Sequence, residues 1–174
     1  MKLKELGRGS LFTYGGIKWA VLDHAKGCEL CISADVVEKR AFDTENRNDF
    51  AVSTLRAWLN GEFLNGLLEN GAKKSAFEDL DLDLTSDDGL QDYGTDKATI
   101  GLITCGMYRK FRRFVPDVKG WWWTCTPWST KSGTDGNHVR YVLTSGALDH
   151  NYAFYGVYGV RPLCLLRSDT LVFG

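Results

Sequence analysis

The chain has 174 residues, a formal charge of −1 and 44% hydrophobic side chains, the size and composition of one domain with a substantial core. Balanced acids and bases give no electrostatic reason for a nucleic-acid partner, because phosphate binding depends on concentrated Lys and Arg. No segment is long and apolar enough for membrane insertion.

The N-terminal Met1–Gly7 carries charge without a following apolar run, which predicts cytoplasmic synthesis without a signal peptide, compatible with release in a virion. Leu11-Phe12-Thr13 and Ile17 to Leu22 flank Tyr14-Gly15-Gly16, the pattern of a hairpin, and Cys28 to Ser33 reads as a third strand. After Ser53, a suitable N-cap, Leu55, Trp58, Leu59, Phe63, Leu67 and Leu68 recur at helical spacing, with Gly61 and Gly66 dividing the stretch and Gly71 ending it. Trp19 and Trp58 are expected on the buried faces of a strand and a helix. Glu78 to Asp96 is acidic and reads as a surface loop. A strand from Ile100 to Thr104 and a short helix from Cys105 to Phe111 come next. Arg109-Lys110-Arg112-Arg113, interleaved with Phe111 and Phe114, reads as a solvated helix face rather than a phosphate site.

Beyond Pro116 the pattern is strands and turns. Trp121-Trp122-Trp123 alternate in direction on one strand, which packs one face into the core. Val139, Tyr141 and Leu143 alternate against His138, Arg140 and Val142. Between the tryptophan-rich segment and Tyr158 to Leu166, the composition shifts to small polar and aromatic residues of the kind found on recognition surfaces. The candidate ligand-binding residues are Ser129, Asn137, His138, Arg140, Asp149, His150, Asn151, Tyr152, Phe154, Tyr155 and Tyr158. Aromatic side chains there supply rigid contact area, and the polar ones supply hydrogen-bond specificity.

After Lys131 the chain contains no Lys, Glu, Gln, Met or Trp. Strand propensity accounts for part of the deficit in Lys and Glu, but it does not exclude Trp or Met. Randomising the first two bases of an asparagine codon that ends in a pyrimidine yields every residue type except these, so the bias has the form left by adenine-directed mutagenesis.

The order Gly16-Ile17-Lys18-Trp19-Ala20-Val21-Leu22-Asp23, then Ser53 to Leu64, then Trp122-Trp123 and finally Gly159-Val160-Arg161-Pro162 resembles the bacterial and phage domain family DUF6273. That family is similar to the C-type lectin-like superfamily, which includes formylglycine-generating enzymes and the variable proteins of diversity-generating retroelements. The resemblance implies a single α+β domain over residues 1–174: a C-type lectin-like fold of two short helices and a twisted antiparallel sheet whose C-terminal strands and loops display a ligand-binding surface. One departure is Trp123-Thr124-Cys125-Thr126-Pro127, where family members usually carry Trp-Leu-Arg-Ser-Pro.

The resulting expectation is a non-enzymatic display protein, phage or prophage encoded, with no catalytic residues, cofactor or metal site. Its partner is a protein or glycan on a target surface, with homo-oligomer or virion assembly as further contexts. The alternatives are a fixed-surface virion structural protein, or a metal-dependent thiol oxidoreductase related to formylglycine-generating enzymes and drawing on Cys28, Cys125 and Cys164. Cys28-x-x-Cys31 lacks a second ligand pair, and its residues point to opposite faces of a strand, so a buried structural role is expected for the thiols. Arg161 is expected to pair with a carboxylate that fixes the last strand. The acidic segment does not have EF-hand spacing.

Overall fold

Two consecutive glycines at positive φ, Gly15 (61°) and Gly16 (77°), form the tight turn that joins β1 (Leu11–Tyr14) to β2 (Ile17–Ala25). The computed structural model describes residues 1–174. Next come β3 (Cys28–Ser33), antiparallel to β2, and β4 (Glu38–Lys39). The Ser53 hydroxyl then accepts from the Arg56 amide at 3.1 Å and starts a continuous helical body: α1 (Thr54–Trp58), a π-helical stretch (Leu59–Phe63) and α2 (Leu64–Glu69). Gly61 and Gly66 lie inside this body, which closes at Asn70 with Gly71 at φ 91°.

The chain continues through β5 (Phe77–Glu78), β6 (Leu80–Asp83), β7 (Thr95–Ala98) and β8 (Ile100–Gly101) to α3 (Cys105–Phe111). The remainder is strand and turn: β9 (Trp122–Pro127), β10 (His138–Val142), β11 (Leu148–Tyr152), β12 (Gly159–Val160) and β13 (Leu163–Arg167). One sheet runs β1-β2-β3-β13-β5, with β8 also paired to β13; the second runs β11-β10-β9-β12-β4; β6 and β7 form a separate ribbon. The architecture is α+β with antiparallel-rich sheets and two helical bodies. No helix is long and apolar enough to cross a membrane.

Pairing of β13 with β3 places the C-terminal segment in the same sheet as the N-terminal hairpin. The chain ends meet there, with the Met1 ammonium donating to Val172 O at 3.4 Å and a bridge between Lys2 and Leu171. A cluster of 40 buried hydrophobic residues fills the space between the sheets and helices.

Several expectations are corrected. The acidic stretch is not a loop throughout: Leu80, Leu82 and Leu84 are buried, and their alternation with Asp81 and Asp83 is the period of a half-buried strand. Trp19 is fully buried, but Trp58 is only half-buried, packed on Phe63 with the Arg40 guanidinium 4.3 Å from its ring centroid. Trp122 and Trp123 are both buried, on opposite faces of a strand that is covered on both sides, and Trp121 is exposed.

Arg161 finds no carboxylate. It is 1% exposed and donates from Nε and Nη2 to Ser33 O (3.2 and 3.0 Å) and from Nη2 to Ala34 O (3.0 Å), so it ties β12 to the end of β3 through main-chain oxygens. Beside it, Gly159 has no room for a side chain: a Cβ there lies 2.7 Å from Val36 Cγ1. Close packing of the Val36 side chain, with the Trp121 carbonyl behind it, thus explains the glycine of Gly-Val-Arg-Pro.

The thiols separate into different places. Cys164 sits opposite Cys31 on adjacent strands, Cys125 lies in the other sheet, and Cys28 is partly exposed at the far end of β3. All five are free. Burial pushes Cys31, Cys125 and Cys164 upward from the ordinary thiol range, which keeps them protonated.

Candidate functional site

The pairing of β10 with β11 sets which candidates share a face. His138 lies opposite Tyr152 and Arg140 opposite His150, so these four side chains project to one side of the sheet. Asn151 and Asp149, opposite Val139 and Tyr141, project to the other side.

On the first side the rings form a continuous patch. The His150 imidazole stacks on Trp128 with centroids 3.9 Å apart and planes 8° apart, and His138 meets Tyr152 edge-on at 4.2 Å. Tyr152 packs on Phe154 (5.7 Å), and Phe154 on Tyr155 (4.6 Å). Tyr152, Phe154 and Tyr155 are 41%, 46% and 39% exposed, a cluster of large aromatic surface at the end of β11. Within the patch, His138 Nδ1 and His150 Nδ1 are shielded from water and have no hydrogen-bond partner. Burial lowers the His150 pKa, reinforced by the neighbouring His138 and Arg140, which favours the neutral ring. His138 Nδ1 faces Asp135 Oδ2 at 3.6 Å, beyond hydrogen-bond distance, and His150 Nδ1 is covered by the neighbouring rings.

Not every candidate belongs to this patch. Ser129 is 1% exposed, with its hydroxyl donating to Asp88 Oδ2 at 2.7 Å and accepting from Thr134 N at 3.0 Å, so it braces a loop and presents nothing to a ligand. Tyr158 is 2% exposed beneath Trp121, Trp123 and Tyr141, and its hydroxyl accepts from Asn151 Nδ2 at 2.7 Å. Asn151 is therefore turned toward the core aromatics. Asn137 is half-buried and donates to Asn46 O at 2.8 Å, a scaffold contact. Asp149 is exposed on the opposite side from the patch, whereas Arg140 stays on the patch side with its Nε held by Asp87 at 2.7 Å. The shared face thus consists of His138, Arg140, His150, Tyr152, Phe154 and Tyr155, joined by Trp128, which is not among the sequence candidates.

The support under the patch comes from distant segments. Asn48, fully buried, donates from Nδ2 to Ser129 O (2.8 Å) and His138 O (2.9 Å) and accepts from the Tyr93 hydroxyl at 2.6 Å. Burial raises the Tyr93 pKa to about 12. Asn46, at φ 59°, accepts from Asn137 through its carbonyl and from the Phe154 amide through Oδ1, clasping both ends of the patch. Asparagine tolerates that left-handed conformation better than most residues.

The acidic segment braces the site rather than standing free. Asp87 holds Arg109 and Arg140, Asp88 accepts from Ser86 and Ser129, and Asp92 accepts from Thr130 and Ser132. For Asp87, burial raises the pKa, but hydrogen bonds from Arg109 and Arg140 outweigh it and lower the net value. Hydroxyl donors lower Asp88 and Asp92. At Asp43, burial is likewise outweighed by Arg47 and the Thr54 amide.

Carboxylates with folded pKa values below their unfolded values stabilise the fold above the unfolded value, about 3.9, and lose that contribution as pH falls through the folded value. The melting temperature is therefore expected to fall steeply below about pH 4. Asp43→Asn, less stable at neutral pH, should show a shallower acid decline in a pH series of thermal melts. Parallel declines for the two proteins would remove Asp43 from the acid transition.

No group of three or more His, Cys, Asp or Glu side chains converges as a metal-binding set, and Cys28, Cys125 and Cys164 are not brought together. Neither the curated proteins nor the solved structures provide a match. Residues 66–168, running from α2 through β13 and including the whole aromatic face, match the family described as "Domain of unknown function (DUF6273)", and the chain belongs to that family.

Proposed function

We propose that this protein is a non-enzymatic binding protein, in which a C-type lectin-like frame presents a recognition face built from His138, Arg140, His150, Tyr152, Phe154 and Tyr155. The observation that carries the reading is the exposed aromatic cluster of Tyr152, Phe154 and Tyr155, contiguous with the ring stack of His138, His150 and Trp128. Rigid rings give contact area at low entropic cost, and the imidazoles and Arg140 set specificity. The ligand is a protein or glycan on a target cell surface, and the encoding element is a phage or prophage.

The absence of Lys, Glu, Gln, Met and Trp after Lys131 supports diversification of the face by adenine-directed mutagenesis of the retroelement kind. That region also contains buried scaffold, including Val139, Tyr141, Leu163 and Cys164. Diversification compatible with folding is therefore confined to the exposed subset.

The test is binding of labelled protein to an array of bacterial cell-surface glycans and ectodomains. The expected result is saturable binding to a small subset, lost in the triple variant Tyr152→Ala, Phe154→Ala, Tyr155→Ala, since aromatic anchors at an interface contribute about 2 kcal/mol or more each. Equal binding by the triple variant, with an unchanged melting temperature, would place recognition elsewhere.

A further inference from the structure

A concavity lies between the C-terminal end of α3, the segment that follows it and the turn after β10. It is a cavity of about 500 Å³ whose wall carries Lys110, Arg112, Arg113 and Arg161, with Asp117 as its one carboxylate. Arg109, also on the wall, is engaged by Asp87 at 3.0 Å. Lys110, Arg112, Arg113 and Arg161 have no carboxylate within 4.0 Å. On a chain of net charge −1, this is a local concentration of unpaired cations.

Arg161 sets the cavity apart from a solvated basic surface. Its guanidinium is withdrawn from solvent, lies 4.7 Å from the Trp122 ring centroid and spends Nε and Nη2 on the carbonyls of Ser33 and Ala34. Nη1 makes no hydrogen bond. A buried, always-charged group without a carboxylate in contact is costly: burial pulls its pKa down to about 10, against the weaker opposing pull of the more distant Asp35 and Asp117. An anion in the cavity would restore the missing charge and occupy the free donor. The rest of the lining includes Val115, Pro116 and Val118, an apolar wall that a bare inorganic ion would not use.

We propose that this cavity binds a small organic oxyanion, a phosphate or sulfate monoester, with its charged group on Arg161 Nη1, Arg112 and Arg113 and its organic part against Val115, Pro116 and Val118. The site is independent of the aromatic face, and neither reading depends on the other.

The test is calorimetric titration of the whole chain with phenyl phosphate, phenyl sulfate and inorganic phosphate, at low and at moderate salt. Expected are a dissociation constant of about 1 mM or tighter for at least one phenyl ester, at least about tenfold weaker binding of inorganic phosphate, and weakening by added salt. The double variant Arg112→Gln, Arg113→Gln should lose at least about tenfold in affinity, with little change in the unliganded melting temperature, and Asp117→Asn should gain affinity. In a proton NMR titration the Trp122 indole signal should move while that of Trp19, in the other sheet, stays in place. No saturable binding up to about 10 mM would overturn the proposal. Unchanged affinity in both variants, or inorganic phosphate binding as tightly as the esters, would do so as well.

Discussion

Trp123→Ala is expected to lower the folding free energy by roughly 3–5 kcal/mol, the range for deleting a fully buried large aromatic. The indole is 0% exposed and packs edge-on against Phe42 (5.8 Å) and Tyr158 (4.5 Å). Its Nε1 donates to Arg40 O at 2.9 Å. Truncation leaves a cavity between the second sheet and the segment that follows β4, and it orphans that carbonyl. Trp58→Ala is the control. Because Trp58 is half-buried and its Nε1 has no partner, its loss should be clearly smaller. Urea unfolding of the two variants checks the ranking, and a Trp123 loss below about 1 kcal/mol would contradict the packing described.

Asn48→Ala is expected to cost about 2–4 kcal/mol, because it removes three hydrogen bonds and leaves Ser129 O without the side-chain donor, a penalty of about 1–3 kcal/mol, while His138 O keeps the Trp128 amide. Ser129 O, His138 O and the Tyr93 hydroxyl all lose their shared partner. The local consequence is loosening of the segment from Ser129 to His138, which carries one edge of the aromatic face. Amide hydrogen exchange should show faster exchange there than in β2 and β3. If exchange rises evenly across both sheets, Asn48 acts on global stability alone.

The local elements were legible because their signals are local. The paired glycines between alternating strands marked the β1–β2 hairpin, and Ser53 ahead of residues at helical spacing marked the helical body. The acidic segment carries two competing signals. Leu80, Leu82 and Leu84 alternate with Asp81 and Asp83 at strand period, while the density of carboxylates around them is that of a solvated loop.

At the candidate site, composition marks out a stretch and does not sort its faces. Ser129 and Tyr158 have the chemistry of recognition residues and are buried, which depends on contacts with Asp88 and Trp123 rather than on neighbours in sequence. Asn46 and Asn48 act on residues some ninety positions away, so nothing near them in the chain announces the role. Arg161 was expected to need a carboxylate, the usual partner of a buried guanidinium. Its acceptors are instead two main-chain oxygens at the end of β3, which become visible only once β12 is placed beside them.

The proposed recognition role requires that the frame not depend on the exposed aromatic face. A saturation scan of every position from Ser129 to Tyr158, read by protease resistance of the displayed protein, tests this most directly. The account predicts that Tyr152, Phe154, Tyr155 and His150 accept most substitutions, whereas Ser129, Val139, Tyr141 and Tyr158 accept few. Intolerance at Tyr152, Phe154 and Tyr155 equal to that at Val139 and Tyr141 would contradict it, making the exposed rings part of the fold rather than a surface held out for a ligand.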